Sequence, residues 1–316
     1  MKKFLKISTI FVFLFFNIQI FGQIYLPGFN NSFEMYMLSD LMHPIGWDEV
    51  WGEFPCCCNC GSSNPPTIPK YLSILTYNIH GFDGILYQYQ HATVIKGSNV
   101  EVASVQEIWT RPLFLNLKAE TQMKGRMVTT REGGVLGTGL YGHGILWRNT
   151  IVGNPTITKV KIHRSSESDD GDPKRAYIIA EFNDFCVIAT HYSTYAPDRV
   201  VMTNSILNHS KVQMCFNKGK PVYIAGDLNE TFNCPQGTNY HNDPNYSIKP
   251  LKNSGFEVLN DYNNPNVCMR DLILEKNTNF YKEIIERGVP NCADPTISDH
   301  LPYRVKVIYK KVHNNY

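Results

Sequence analysis

The chain lacks an excess of charge of either sign: 30 basic residues against 28 acidic ones leave a formal net charge of +2 over 316 residues. Bulk attraction to a polyanion is thereby excluded as a driving force, while a local basic groove is not. No apolar run reaches the ~20 residues that a membrane-spanning helix needs. Internal repeats and low-complexity tails are also missing, so no repeat architecture is expected. The cluster Cys56-Cys57-Cys58-Asn59-Cys60 has no second Cys or His pair at a zinc-like interval, which favours disulfides or inert thiols over a metal knuckle.

What is present is a chain able to bury a large core, with 43% hydrophobic and 12% aromatic residues. It opens on Lys2, Lys3 and Lys6, runs through the apolar stretch Ile7 to Phe16, and decays through Asn17 and Gln19 to Gly22. This pattern predicts a secretory signal peptide over residues 1–22 and hence a secreted protein, extracellular or periplasmic. No Cys ends the apolar stretch, which argues against a lipid anchor. Nine cysteines fit an oxidising compartment, and the odd count leaves at least one thiol free or paired between chains. Residues 23–70 form an irregular lead-in, rich first in aromatics and Met and then in Cys and Pro. The main domain is expected over 71–316.

Within it, short β-branched apolar runs predict strands at Leu72–Ile79, Val100–Ile108, Gly144–Trp147, Tyr177–Phe182, Phe185–Thr190, Pro221–Ala225 and Tyr303–Tyr309. Asp198 to Phe216, opened by Pro197 and closed by Lys218-Gly219, predicts one long helix. The mixed hairpin-like and crossover spacing indicates an α/β fold with much antiparallel sheet.

Most of the runs end on polar residues. Val222 to Ala225 stops at Gly226-Asp227-Leu228-Asn229, where a carboxylate and a carboxamide could hold a phosphate, a hard cation's water shell or a catalytic water, or simply form a turn. Asn78 and His80, Gln106-Glu107, Thr190-His191 and Ser298-Asp299-His300 stand at other run ends. Glu107 follows an apolar approach and needs a partner there. Each alone has an ordinary structural explanation; together they mark one site. Two other matches carry less. Gly137-Thr138-Gly139-Leu140-Tyr141-Gly142 fits a dinucleotide fingerprint, but the strand-like Ile145-Leu146-Trp147 follows where a helix should start. Asn229-Glu230-Thr231 fits an N-glycosylation acceptor.

In order, Tyr77-Asn78-Ile79, Gln106-Glu107-Ile108, Thr190-His191, Gly226-Asp227-Leu228-Asn229, Arg270-Asp271-Leu272-Ile273 and Ser298-Asp299-His300 resemble the motifs of the endonuclease/exonuclease/phosphatase superfamily. The resemblance covers about Tyr71 to Tyr309. It implies a two-sheet α/β sandwich with helices on the outer faces, and hydrolysis of a phosphoester. It also implies that Glu107, helped by Asn78, binds Mg²⁺ (with Mn²⁺ or Ca²⁺ as alternatives), and that Asp299 completes this site or a second one. His300 would be the general base oriented by Asp271, His191 would bind phosphate or serve the leaving group, and Asp227 and Asn229 would orient the nucleophile. The match at Asp271 rests on its place ahead of Ser298-Asp299-His300.

For the substrate, Gln106 to Trp109 with Leu113 and Leu117, and the segment Gly134 to Leu140, resemble neutral sphingomyelinases. That resemblance and the predicted export lean towards a phospholipid, sphingomyelin, met by a monomer at a membrane surface. DNA is the rival, with Arg111, Arg126, Arg131, Arg148, Lys174 and Arg175 as candidate groove residues. Another phosphoesterase activity and an inactive binding module complete the alternatives.

Overall fold

A computed structural model of the chain describes residues 71–132, 140–163, 174–232, 247–260, 269–277 and 280–311. All belong to one compact unit, Asn59–Tyr316. The expected signal peptide, the lead-in with its Cys cluster, and residues 134–139 of the glycine-rich segment lie outside the described residues.

Two six-stranded sheets face each other. The first runs in the order β11 (Phe280–Gly288), β12 (Tyr303–Lys311), β1 (Leu72–Asn78), β2 (Val102–Ile108), β4 (Leu140–Trp147), β3 (Lys124–Glu132). The second runs β5 (Thr156–His163), β6 (Lys174–Glu181), β7 (Cys186–His191), β8 (Val222–Phe232), β10 (Met269–Lys276), β9 (Glu257–Val258). At the centre of each lies one parallel pair, β1 with β2 and β7 with β8. Parallel neighbours need a crossover. In the first sheet it contains α1 (Gly81–Leu86) and α2 (Gln88–Gly97); α3 (Arg111–Thr121) follows β2, and the short α4 (Asn149–Val152) follows β4. In the second sheet the crossover contains α5 (Ala196–Asn208) and α6 (Ser210–Asn217), while α7 (Ile248–Asn253) follows β8.

The central strands are apolar because both their faces are covered. β1 is buried at all seven positions. Leu72, Ile74, Val102, Ala176, Ile178 and Ala225 fill the space between the sheets. The outer face of the second sheet packs Ile188 and Ile224 against Met202, Ile206 and Val212 of α5 and α6. On the first, Leu75 and Val105 meet Ile95 of α2 and Leu113 and Leu117 of α3. The fold is the two-sheet α/β sandwich anticipated from the sequence.

Three local expectations change. The single helix over Asp198–Phe216 is two helices, because His209 adopts an extended backbone and its Nδ1 accepts from Lys211 N at 3.1 Å, capping α6. β8 does not stop at Ala225 but runs to Phe232, so Asp227 and Asn229 sit inside a strand whose backbone turns left-handed at Asn229 (φ 47°). Strands β3, β5, β9, β10 and β11 had no counterpart among the apolar runs.

Cys186, at the start of β7, forms a disulfide with Cys215 on α6, both fully buried. It pins the crossover helix to the sheet. Closing a 29-residue separation of this kind contributes about 3–4 kcal/mol by restricting the unfolded chain. Urea unfolding should therefore show a lower midpoint for wild type under reducing conditions and for Cys186→Ser/Cys215→Ser under any conditions. A midpoint that ignores both reductant and substitution would refute this.

Candidate active site

The two parallel pairs end at the same edge of the sandwich, and that edge gathers the polar residues. Asn78 ends β1. Its Nδ2 donates to Glu107 Oε1 at 2.9 Å and to Asp227 Oδ2 at 3.1 Å, joining a carboxylate of one sheet to a carboxylate of the other. Its Oδ1 accepts from His80 N at 3.0 Å. Glu107 lies where the β2–β4 register shifts, between Val105 and Ile108, and has φ 58°. Such a bulge re-aims a side chain that regular pleating would have sent elsewhere.

Asp227 is delivered by β8 against β7, in register opposite His191. That approach depends on Gly226, where an added Cβ would stand 2.0 Å from Thr190 O. Asp227 Oδ1 accepts from Asn229 N at 2.8 Å, and Asn229 Nδ2 donates to Tyr192 O at 2.9 Å. Around Asp227 Oδ2 stand His191 Nε2 at 3.6 Å and His300 Nε2 at 4.0 Å. Asp271, on β10 opposite Asp227, meets His300 Nδ1 at 2.5 Å through Oδ2. Ser298 secures the last segment: its Oγ donates to Asn78 O at 2.8 Å and accepts from His300 N at 3.2 Å.

Asn78, Glu107, His191, Asp227, Asn229, Asp271 and His300 are thus brought together. Asp299 is placed differently: its side chain is 58% exposed at the rim, 3.9 Å from both His300 Nε2 and His80 Nδ1. Among the described residues, Glu107, His191 and Asp227 form a group that could hold a metal ion, their ligand atoms lying within 4.8 Å of one another. Asn78 turns its amide nitrogen, not its oxygen, towards the two carboxylates.

The charges are unevenly settled. Burial raises the Glu107 carboxyl, the Asn78 hydrogen bond lowers it, and neighbouring Asp227 raises it again. Burial also raises Asp271, to about 6. Burial pulls His300 down, but the hydrogen bond and charge of Asp271, with Asp227 and Asp299, outweigh that and lift it to about 9. Burial holds His191 well below its ordinary value, reinforced by Arg175, His143 and His300. His143 falls to about 3 through burial and the charge of Arg175, against a hydrogen bond to Ala189. Two carboxylates sharing the Asn78 amide as donor, with a neutral imidazole alongside, suit a divalent cation.

His143 (1% exposed) and Arg175 (5% exposed) were not read as part of this site. No motif marks them; only the register of β6 against β7, Ala176 opposite His191, brings Arg175 close. Of the basic residues expected to line a groove, Arg111 and Arg126 both lie near Lys118 on α3. Arg148 donates to Val100 O at 2.8 Å at the far end of β2, and Arg175 is buried.

This convergence of carboxylates, amides and a carboxylate-bound imidazole fits the hydrolases of phosphoester bonds, the class of enzyme that the family match defines. The chain belongs to the Endonuclease/Exonuclease/phosphatase family, whose profile matches residues 75–300. Enzymes of this family generally depend on a divalent metal. Among solved structures, the chain is similar to an endonuclease/exonuclease/phosphatase from Beutenbergia cavernae DSM 12333 (18% identity, TM-score 0.56, covering 76% of this chain and 72% of that one). It is also similar to one from Bacteroides vulgatus (16%, TM-score 0.56, 76% and 99%). A third is a mannosyl-6-phosphatase of Bacteroides thetaiotaomicron VPI-5482 (14%, TM-score 0.55, 75% and 99%). At these identities the likeness is one of fold. No curated protein matches the chain.

Two measurements test the electrostatics. In Asp271→Asn, the His300 imidazole should titrate nearer 6.5 than about 9, as read by NMR of its ring; an unmoved value would sink the pairing. The histidines contribute to stability with opposite signs. His143 and His191 take up protons more readily when unfolded, so their contribution is full above pH 6.5 and is lost as pH drops, towards about 3 for His143. His300 has the opposite sign: its contribution is full below 6.5 and is lost as pH rises through about 9. His143→Asn should flatten the acid limb of Tm against pH, and an unchanged slope would count against this assignment.

Proposed function

We propose that the protein is a secreted, Mg²⁺-dependent phosphodiesterase acting on a sphingomyelin-type phospholipid and releasing phosphocholine. The observation that carries the chemistry is Asp227 Oδ2 standing between the Asn78 amide, His191 and the His300–Asp271 pair. Glu107 and Asp227 would hold the cation, with His191 beside them. Bound there, it would neutralise phosphate charge and acidify a water.

The chain's own groups do the rest. His300, lifted to about 9, is an imidazolium at neutral pH, so its Nε2 donates a hydrogen bond to a phosphate oxygen as charge develops. The base role implied for it by resemblance passes to Asp227, whose carboxylate can align the attacking water and accept its proton. Asn229 is fixed by its bond to Tyr192 O and by the bond of its N–H to Asp227, which keeps its side chain at the reacting edge. His191, held neutral, can bind the phosphate or assist departure of the leaving oxygen.

Support for a lipid substrate comes from the rim. Leu301, directly after His300, is 43% exposed. The predicted signal peptide and the buried disulfide suit an exported enzyme. The nuclease reading has its own observation. Arg111, Lys118, Lys124 and Arg126 crowd along α3 and β3, and after burial their mutual repulsion lowers Lys118.

With Mg²⁺, the purified protein should release phosphocholine from sphingomyelin vesicles and leave plasmid DNA intact. A chelator should stop turnover, and Mg²⁺ should restore it. Plasmid nicking without lipid turnover would replace the first reading by the second. His300→Ala should lower turnover by about 10²- to 10⁴-fold with the fold retained. Wild-type kcat should decline as pH rises through about 9; a rate that climbs there would return the base role to His300.

A further inference from the structure

Away from the catalytic edge, α5, α6 and α7 enclose a cleft of 660 Å³ on the outer face of the second sheet. Its volume falls in the range of small-ligand sites, about 300–1,000 Å³. Lys276 lines it and pairs with Val222, whereas Asp271 pairs with Asp227 at the other end of the same ladder. Five residues of strand separate them, roughly 17 Å. The cleft is therefore not an extension of the active site.

Its chemistry is one-sided. Lys249 and Lys276 bring two ammonium groups, and none of the lining residues is acidic. Lys276 Nζ lies 4.2 Å from the centre of the Phe216 ring, which holds the charge over the floor without neutralising it. Asn204, Asn208 and Asn253 add carboxamides from two helices. A carboxamide both donates and accepts, as a sugar hydroxyl does, so three of them in one cleft complement a polyol better than a hydrocarbon. Gln213 Nε2 donates to Leu207 O, fastening α6 to α5 along the wall.

We infer that this cleft is a second ligand site, for an acidic saccharide: ring hydroxyls would meet the carboxamides, and a carboxylate or sulfate would meet Lys249 and Lys276. A charged group met by two ammoniums forms charge-assisted hydrogen bonds, the stronger kind. The inference is independent of which phosphoester is hydrolysed.

The test uses a hyaluronan tetrasaccharide, which carries uronates but no phosphoester, with neutral chitotetraose as the control. Titrated into the full-length ¹⁵N-labelled protein, hyaluronan should shift the amides of Asn204, Asn253 and their neighbours and leave those of Glu107 and Asp227 in place. Lys249→Gln/Lys276→Gln should weaken binding by about tenfold or more, while His300→Ala should bind as wild type does. The site is refuted if wild type does not bind, if chitotetraose binds equally well, or if the shifts map to the catalytic edge. Undiminished binding by a folded lysine variant refutes it too; if that variant does not fold, the wild-type shift map decides.

Discussion

The active edge depends on one amide. Asn78 lies at the end of the first strand of one sheet and reaches both Glu107, its neighbour in that sheet, and Asp227 in the other. Two buried carboxylates so close together repel, and packing between the sheets is non-directional, so apolar contact alone would not fix their separation. The carboxamide gives each a donor and sets the spacing. Farther inside, Gln106 Nε2 donates to Ser104 Oγ at 2.7 Å, and Ser104 Oγ donates to Ala225 O at 2.8 Å. This second buried bond between the sheets stands three residues before Glu107 and two before Asp227. The sandwich is thus pinned by polar groups at the end where its geometry matters.

Electrostatics divides the site into two halves. On one side, Glu107 and Asp227 share the Asn78 amide as donor beside His191, which burial and nearby cationic groups keep neutral. On the other, the buried Asp271 holds His300 charged. An electron-rich pocket for a cation therefore abuts a fixed proton donor, and a phosphate placed between them would be drawn from both sides. Strand connectivity sets this arrangement: β8 supplies Asp227 to the first half, and its antiparallel neighbour β10 supplies Asp271 to the second.

The sequence exposed the interior of the fold better than its borders. β1, β2, β7 and β12, paired on both edges, appeared as apolar, β-branched runs within about two residues of their ends. The missed strands β3, β5, β9 and β11 are the four sheet edges. Edge strands carry charges, as in Lys159-Val160-Lys161 or Glu286-Arg287, which deter pairing with other chains and break up the apolar signal. Missed too was β10, whose apolar stretch Leu272 to Leu274 is only three residues long. Most of the residues gathered at this edge were legible because polar groups at the ends of buried strands stand out. Asp299 entered the ligand set through the resemblance carried by Ser298-Asp299-His300, and its side chain stands at the exposed rim beside His300. The nearness of His143 and Arg175 to His191 was hidden, since strand pairing places Arg175 and the facing of the two sheets places His143.

Five non-glycine residues among those described have positive φ, and three of them, His80, Glu107 and Asn229, lie at the active edge. Each such residue costs about 1 kcal/mol or more, which the surrounding packing has to offset. Glycine would relieve that cost at all three positions while deleting a carboxylate, an amide or an imidazole. Selection for a more stable chain, whether in a thermal screen or during drift without a substrate, would therefore tend to erode this edge early. A relative in which glycines replaced these residues would keep the sandwich and lose the hydrolase.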